Sequence, residues 1–473
     1  MKKLLLTAKS LSLSALLILG YGCMENKTPD KTDEQKVRLI TLDPGHFHAA
    51  LVQKSMYPEI DAEVQVYAPD STELKAHLAL IDQYNSRAEM PTTWKEKVYT
   101  GPDYLEKMIA DKAGNVVVIA GNNKKKTDYI KKSVDAGFNV LADKPMAIST
   151  EGFNLLRESF AAAEKNKTLL YDIMTERFEI NSMVQKALAA LPEVFGELKK
   201  GDAEHPSVIK ESAHFFFKYV SGKPLIRPSW FFDADQQGDG LVDITTHMVD
   251  LIQWSCFPEV ALDYTKDINL LSSGRWPTML TPAQFRQVTL KSEYPEFLKK
   301  NVNDSILKVY ANGEMNYSIK GVHARVSVVW NFQAPEGTGD THYSLMEGTK
   351  CKLVIRQNKD QGYKPMLYIE PANLGDTVAF GKTLLKNMDK INEMYPGITL
   401  SKNDAGWQVM IPSSYSIGHE AQFAEVTKKF LRYLKEGKLP DWEVPNMIAK
   451  YYTTTQALEK ATLKQSPVQH ETH

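Results

Sequence analysis

The stretch NVVVIAGNNKKKTDYIKKSVDAGFNVLADKP, residues 115–145, holds a strand, a helix and a second strand in one run. Val116 to Ala120 is wholly apolar and stops at the turn Gly121-Asn122-Asn123. Lys125 to Ala136 reads as a helix, and Phe138 to Ala142 is a second short strand ending at Asp143-Lys144-Pro145. An apolar run without alternation suits a strand covered on both faces, and a helix between two such strands makes a parallel crossover. The pattern extends in both directions. Val37 to Leu42 is a strand followed by a helix from His46 to Met56, Glu63 to Ala68 is a strand with Asp70 just past its end, and Thr168 to Ile173 is another. This alternation predicts an α/β fold with a doubly wound N-terminal domain over residues 37–174. The Lys124-Lys125-Lys126 run reads as a solvated helix start.

Ligands of such sheets bind beyond the carboxyl ends of the strands. A dinucleotide site wants Gly-x-Gly-x-x-Gly after the first strand, so that backbone can approach a pyrophosphate. Here the loop is Leu42-Asp43-Pro44-Gly45-His46-Phe47-His48-Ala49-Ala50, in which Gly45 alone is a glycine. Asp70 stands near where an acidic residue holds a ribose hydroxyl. Asp43, His46 and His48 are the candidate ligands if a metal binds, since imidazole with carboxylate suits zinc or a similar ion. Two histidines two apart on a helix diverge, however, so no metal is expected. One histidine is expected to touch a phosphate or sugar group, the other to pack.

Gly238-Asp239-Gly240-Leu241-Val242-Asp243-Ile244-Thr245-Thr246-His247-Met248-Val249-Asp250 follows about a hundred residues after Lys144. If helical beyond Gly240, it sets Asp243, His247 and Asp250 in one polar stripe beside the apolar Ile244, Met248 and Leu251. A carboxylate one turn from an imidazole can orient the ring and stabilise its cation, which suits proton transfer. The same pattern also serves a capped amphipathic helix with a surface ion pair. Pro145 restricts Lys144 to extended backbone at a strand end, where a ligand would sit.

Asp143-Lys144-Pro145 followed by this segment resembles the Gfo/Idh/MocA oxidoreductases, whose members carry Glu-Lys-Pro and then a Gly-Gly-x-x-x-Asp-x-x-x-His helix. The resemblance spans residues 37–258, with an echo in Gly418-His419-Glu420 and the closing helices. It implies a Rossmann-like domain binding NAD or NADP through Gly45, His46, Phe47, His48, Asp70, Asn122, Asn123, Asp143 and Lys144. It also implies a sugar or sugar-derivative substrate oxidised or reduced by hydride transfer. Lys144 would polarise the reacting oxygen, His247 would act as general acid/base, and Asp243 would orient His247 and bind an adjacent hydroxyl. Arg177, in Met174-Thr175-Glu176-Arg177-Phe178, and Trp230 are the further substrate-binding candidates, while for Trp230, Arg227, His214, Lys218 and His419 core packing is the competing reading. A homo-oligomer is expected.

Residues 175–465 are expected to form a C-terminal α+β domain on a large, open, mainly antiparallel sheet. Its strands are read at Val208 to Phe217, Asp304 to Tyr310, Glu314 to Ile319, Ala324 to Asn331 and Cys351 to Ile355, with Ala311-Asn312-Gly313 as a turn. Residues 466–473 are a tail. At the other end, residues 1–23 read as an export signal ending in a lipidation cysteine, Cys23, before a polar leader over 24–36. This predicts a lipoprotein anchored in the periplasm or at the outer membrane of a Gram-negative cell. The composition, 43% hydrophobic and 24% charged with a net charge of -1, gives no basis for a nucleic-acid partner. Cys256 and Cys351 are expected to be free thiols. Because free dinucleotide is scarce outside the cytoplasm, three other readings stay open: a glycosidase or lyase with a captive cofactor, a metal-assisted carbohydrate enzyme, and a non-catalytic carbohydrate-binding lipoprotein.

Overall fold

Six parallel strands, β1 (Leu39–Leu42), β2 (Glu63–Tyr67), β3 (Lys95–Tyr99), β4 (Val116–Ile119), β5 (Asn139–Asp143) and β6 (Leu170–Ile173), open the computed structural model. It describes residues 36–220 and 223–465. The order is β3-β2-β1-β4-β5-β6. Between the strands run α1 (His48–Leu51), α2 (Thr72–Ser86), α3 (Tyr104–Asp111), α4 (Asn123–Asp135) and α5 (Thr150–Asn166). β1 and β4 are buried at every residue, which is why they read as unbroken apolar runs. β3, Lys-Glu-Lys-Val-Tyr, escapes a hydrophobic reading because it is the sheet edge, where charge discourages further pairing. The helix expected from His46 to Met56 is shorter. The carbonyls of Gln53 and Lys54 accept from Trp94 Nε1 and Arg87 Nη2, each at 2.6 Å, instead of continuing the helical ladder.

α2 buries Leu74, His77, Ile81 and Tyr84 on one face. Neither ring nitrogen of His77 has a hydrogen-bond partner, and burial lowers the ring's pKa from 6.5 to about 4. Between those values the unfolded chain binds the extra proton, so stability falls as pH drops from 6.5 to 4. The loss is expected to reach about 3 kcal/mol, and a His77→Phe variant should lack that part of it in urea melts taken across the range. Equal acid sensitivity in both proteins would place the titrating group elsewhere.

The second sheet has eleven strands. Its members begin with β7 (Val208–Phe217); a small separate hairpin, β8 (Tyr219–Val220) with β9 (Lys223–Pro224), follows. β10 (Ile268–Leu280), β11 (Val302–Asn303), β12 (Ile306–Ile319), β13 (Val322–Gln333), β14 (Thr341–Glu347), β15 (Cys351–Gln357), β16 (Met366–Pro371), β17 (Thr399–Asn403), β18 (Gly406–Met410) and β19 (Thr462–Leu463) complete it. Pairing is antiparallel except between β7 and β13 and between β10 and β19. The turn expected at Ala311-Asn312-Gly313 is instead the middle of β12. A Cβ on Gly313 would lie 2.6 Å from Leu241 Cγ, so the glycine admits Leu241 to the sheet face. Asn312 is buried, bonded to Trp276, Thr278 and Trp330.

α6 (Ile180–Ala189), α7 (Ala234–Gln237), α8 (Thr245–Cys256), α9 (Tyr264–Asp267), α10 (Pro282–Thr289), α11 (Thr377–Met394), α12 (Gly418–Glu436) and α13 (Glu443–Glu459) complete the chain. α6 and α11 pack on β15, β16 and β18, and α8 and α13 on β12 and β13. The closing helices also return to the first sheet. Phe423, Val426, Phe430, Met447 and Tyr451 share its core, so residues placed by sequence in a separate C-terminal domain complete the N-terminal one. Cys256 and Cys351 are free. Cys23 and the tail lie outside the described residues, among which no helix is long and apolar enough to cross a membrane.

Candidate active site

The loops after β1, β4 and β5 meet where the strand order reverses, the place at which doubly wound sheets bind ligands. Asp43, Gly45 and His48 hold the spacing of the three fingerprint glycines. Asp43 has φ 44°, the left-handed backbone a glycine would adopt freely, and its Oδ2 accepts from Lys125 Nζ at 3.0 Å and Tyr129 OH at 2.7 Å. A Cβ on Gly45 would sit 3.2 Å from Gly121 Cα and 3.3 Å from Asn122 N. The two loops therefore touch backbone to backbone. The N–H groups of Gly45 and His46 both donate to the Ala120 carbonyl at 3.2 Å, so the loop turns these amides inward.

Lys144, at the end of β5, donates to Asp243 Oδ1 at 2.8 Å; their side chains are 10% and 8% exposed. Asp243 Oδ2 accepts from Gln237 Nε2 at 3.0 Å. Gln237 is held in turn, since Asn123 Nδ2 donates to its carbonyl at 2.6 Å while Asn122 Nδ2 donates to Gln236 Oε1 at 2.8 Å. Asn122 and Asn123 thus fasten α7 across the loop ends. Asp243 also lines a crevice of about 10 Å³ with Gln237, Gly240, Tyr310 and Trp330.

α8 begins at Thr245, which leaves Asp243 in the preceding turn. It is therefore the partner of Lys144 and not the orienting group of His247 that sequence suggested. His247 Nδ1 is buried without a hydrogen-bond partner. Burial first, then the charges of Lys144 and His419, hold the ring well below its ordinary pKa, hence neutral at pH 7. Lys126 is 1% exposed, contrary to the solvated reading of its run. It donates to the Asp143 carbonyl at 2.9 Å, and burial lowers its pKa to about 8.

Other candidates fall elsewhere. Arg177 is buried, with Nε and Nη2 each 2.7 Å from Asp250 and Nη1 3.0 Å from both Glu443 oxygens. It belongs to an ion network and is not placed to bind substrate. Asp250 leaves the expected polar stripe for the same network. Trp230 is 8% exposed in an aromatic cluster with Phe216, Phe232 and Trp330, where packing accounts for it. Arg227 lies over Phe231 and Trp330 and donates to the Phe216 carbonyl. Asp70 stays at the open end of β2, ion-paired with Lys75 at 2.8 Å and 67% exposed. Phe47 is 43% exposed, its ring 4.5 Å from those of His46 and His48. Asp143 faces the two histidines: His48 Nδ1 lies 2.9 Å and His46 Nδ1 4.0 Å from its Oδ2. Asp43, tied to Lys125 and Tyr129, is not in that cluster.

Two family models match the chain. "Oxidoreductase family, NAD-binding Rossmann fold" covers residues 62–173, and "Putative oxidoreductase C terminal domain" covers 184–462. The chain belongs to the Gfo/Idh/MocA family of oxidoreductases. Among solved structures it is 56% identical to a protein from Parabacteroides merdae described as a "putative oxidoreductase", over 90% of this chain and 97% of that one, with a TM-score of 0.89. A levoglucosan dehydrogenase in complex with NADH and levoglucosan is 14% identical, over 90% and 98% of the two chains, with a TM-score of 0.55. A 3-ketoreductase from Actinomadura kijaniata in complex with NADP is 12% identical, over 91% and 100%, with a TM-score of 0.55. These two share the fold. No curated protein sequence matches the chain.

Proposed function

We propose that the protein is an NAD(P)-dependent oxidoreductase interconverting a hydroxyl and a keto group on a sugar or sugar derivative, exported and held at a membrane by Cys23. The observation that carries this reading is the Lys144–Asp243 pair at 2.8 Å, joined across 99 residues, beside the unpartnered Nδ1 of His247. The sugar ligands of the levoglucosan dehydrogenase and the chemistry of the 3-ketoreductase support it.

The close approach of Gly45 to Gly121 and Asn122 leaves no room for a side chain there and suits a dinucleotide loop; Asp70 would hold a ribose hydroxyl and Lys144 would stand at the inner end. When bound, the nicotinamide supplies the hydride acceptor or donor. The chain's part is proton handling. Lys144, fixed by Asp243, places an ammonium against the reacting oxygen and stabilises negative charge as it develops there. His247, neutral with a free nitrogen, takes the hydroxyl proton in oxidation and returns it in reduction. Asp243, held by Gln237, has the geometry to accept from a neighbouring hydroxyl.

Denaturing the purified full chain and measuring the mass and absorbance of what it releases, with calorimetry on the emptied protein, tests the assignment. A nicotinamide dinucleotide retained or rebound is expected, and neither occurring would overturn it. Gly45→Val should weaken that binding at least tenfold, because the side chain forces the β1 and β4 loops apart. Unchanged affinity would show that these loops do not hold the cofactor.

A further inference from the structure

We propose that His46, His48 and Asp143 form a binding site for a divalent transition-metal ion beside the reacting centre. One ligand atom from each lies within 4.8 Å of the others, close enough for a single ion after small rotamer adjustments. The objection from sequence, that histidines two apart on a helix diverge, does not hold. α1 begins at His48, so His46 belongs to the irregular loop before it, and the two rings stand 4.0 Å apart with 85° between their planes.

The donor set is two imidazoles and one carboxylate, the combination that suits zinc, iron(II), manganese(II) or cobalt(II) and leaves positions open. The surrounding contacts fix it. The His48 ring packs 4.5 Å from that of Phe423, and Lys126 holds the end of β5 through the Asp143 carbonyl at 2.9 Å. Support of this kind is what orients metal ligands. His419, at the start of α12, has its ring 5.2 Å from that of His48 and is the candidate fourth ligand.

A structural pair would account for His48, which bonds Asp143 directly. His46 Nδ1 lies 4.0 Å from the same oxygen, outside hydrogen-bond range, and accepts from the His48 backbone N–H at 3.3 Å, a long bond that an ion shared with Asp143 would replace. The neighbouring ammonium of Lys144 is matched by Asp243, and that of Lys126 is held by the Asp143 and Lys144 carbonyls. Because Asp143 and Lys144 are consecutive, the ion would sit next to the group that polarises the substrate.

The full chain, purified without a histidine tag and without chelator, is assayed for metal by mass spectrometry and then titrated with zinc(II) and cobalt(II). About one equivalent is expected, with a cobalt spectrum showing nitrogen and oxygen coordination. His46→Ala, at a side chain 23% exposed, should weaken cobalt affinity at least tenfold. Asp43→Asn should leave it unchanged. Failure of both ions to bind the unaltered protein, or equal cobalt affinity in His46→Ala, overturns the site. Dinucleotide release and rebinding are measured on the same sample: dinucleotide retained or rebound with no ion bound on titration sinks the metal site and leaves the oxidoreductase reading standing, and an ion bound with no dinucleotide retained or rebound does the reverse.

Discussion

Replacing Arg177 with methionine is expected to lower the free energy of unfolding by about 3–5 kcal/mol, the usual cost of removing one member of a buried ion pair. Arg177, Lys450 and Lys429 face Asp250, Glu443 and Asp172, so the formal charges cancel. Four of the side chains are at most 1% exposed, Arg177 is 3% and Lys429 16%. Without the guanidinium, Asp250 loses two hydrogen bonds at 2.7 Å and Glu443 loses two at 3.0 Å, and the carboxylates are left one positive charge short. Arg177→Lys should recover little, because a single ammonium cannot reproduce the two forks. Guanidinium titrations of the three proteins measure this. A loss under 1 kcal/mol would mean that Lys450 and Lys429 rearrange to carry the charge.

The network has a consequence for the site. Asp250 stands three residues beyond His247 on α8, Asp172 ends the first sheet on β6, and Lys450 joins them at 2.8 and 2.6 Å. Through these bonds the helix carrying the proposed base is anchored to the sheet carrying Lys144. Lys450 would therefore act as a positioning residue for the proposed base, with Arg177 sharing the Asp250 carboxylate.

Sequence made the first sheet plain because parallel strands covered on both faces are apolar throughout. The second sheet was less legible. Asn312-Gly313 has the chemistry of a hairpin turn, yet the glycine answers to Leu241, more than seventy residues earlier, and no local pattern announces that. Lys126 looked solvated inside a charge run, because burial depends on a β5 carbonyl 17 residues away. Of the metal candidates read from sequence, His46 and His48 cluster with Asp143 and not with Asp43. Asp43 is near them in the chain, whereas Asp143 reaches them only through the β1–β4–β5 pairing. Likewise the pattern at Asp243 and His247 suggested an ion pair along one helix, whereas Asp243 pairs with Lys144 from the loop after β5.

Lys144→Ala and His247→Ala should each reduce turnover by about a hundredfold or more, the scale of positioned acid–base catalysis. The reasons differ. Without Lys144 the reacting oxygen loses its nearest positive charge, and Asp243 keeps only its bond from Gln237 at 3.0 Å. Without His247 the hydroxyl proton has no acceptor. If both serve one proton transfer, the double variant should be little worse than the poorer single one, since groups acting as a unit are strongly non-additive. Binding measurements separate their roles further. His247→Ala should keep its affinity for the dinucleotide, because the imidazole addresses substrate. Lys144→Ala should weaken it, because the lysine closes the inner end of the cleft. Near-normal turnover in both variants, on a substrate the unaltered protein oxidises, would remove these residues from the chemistry. The Lys144–Asp243 pair would then be a clasp between the two sheets, and the reacting groups would have to be sought among His46, His48 and Asp143.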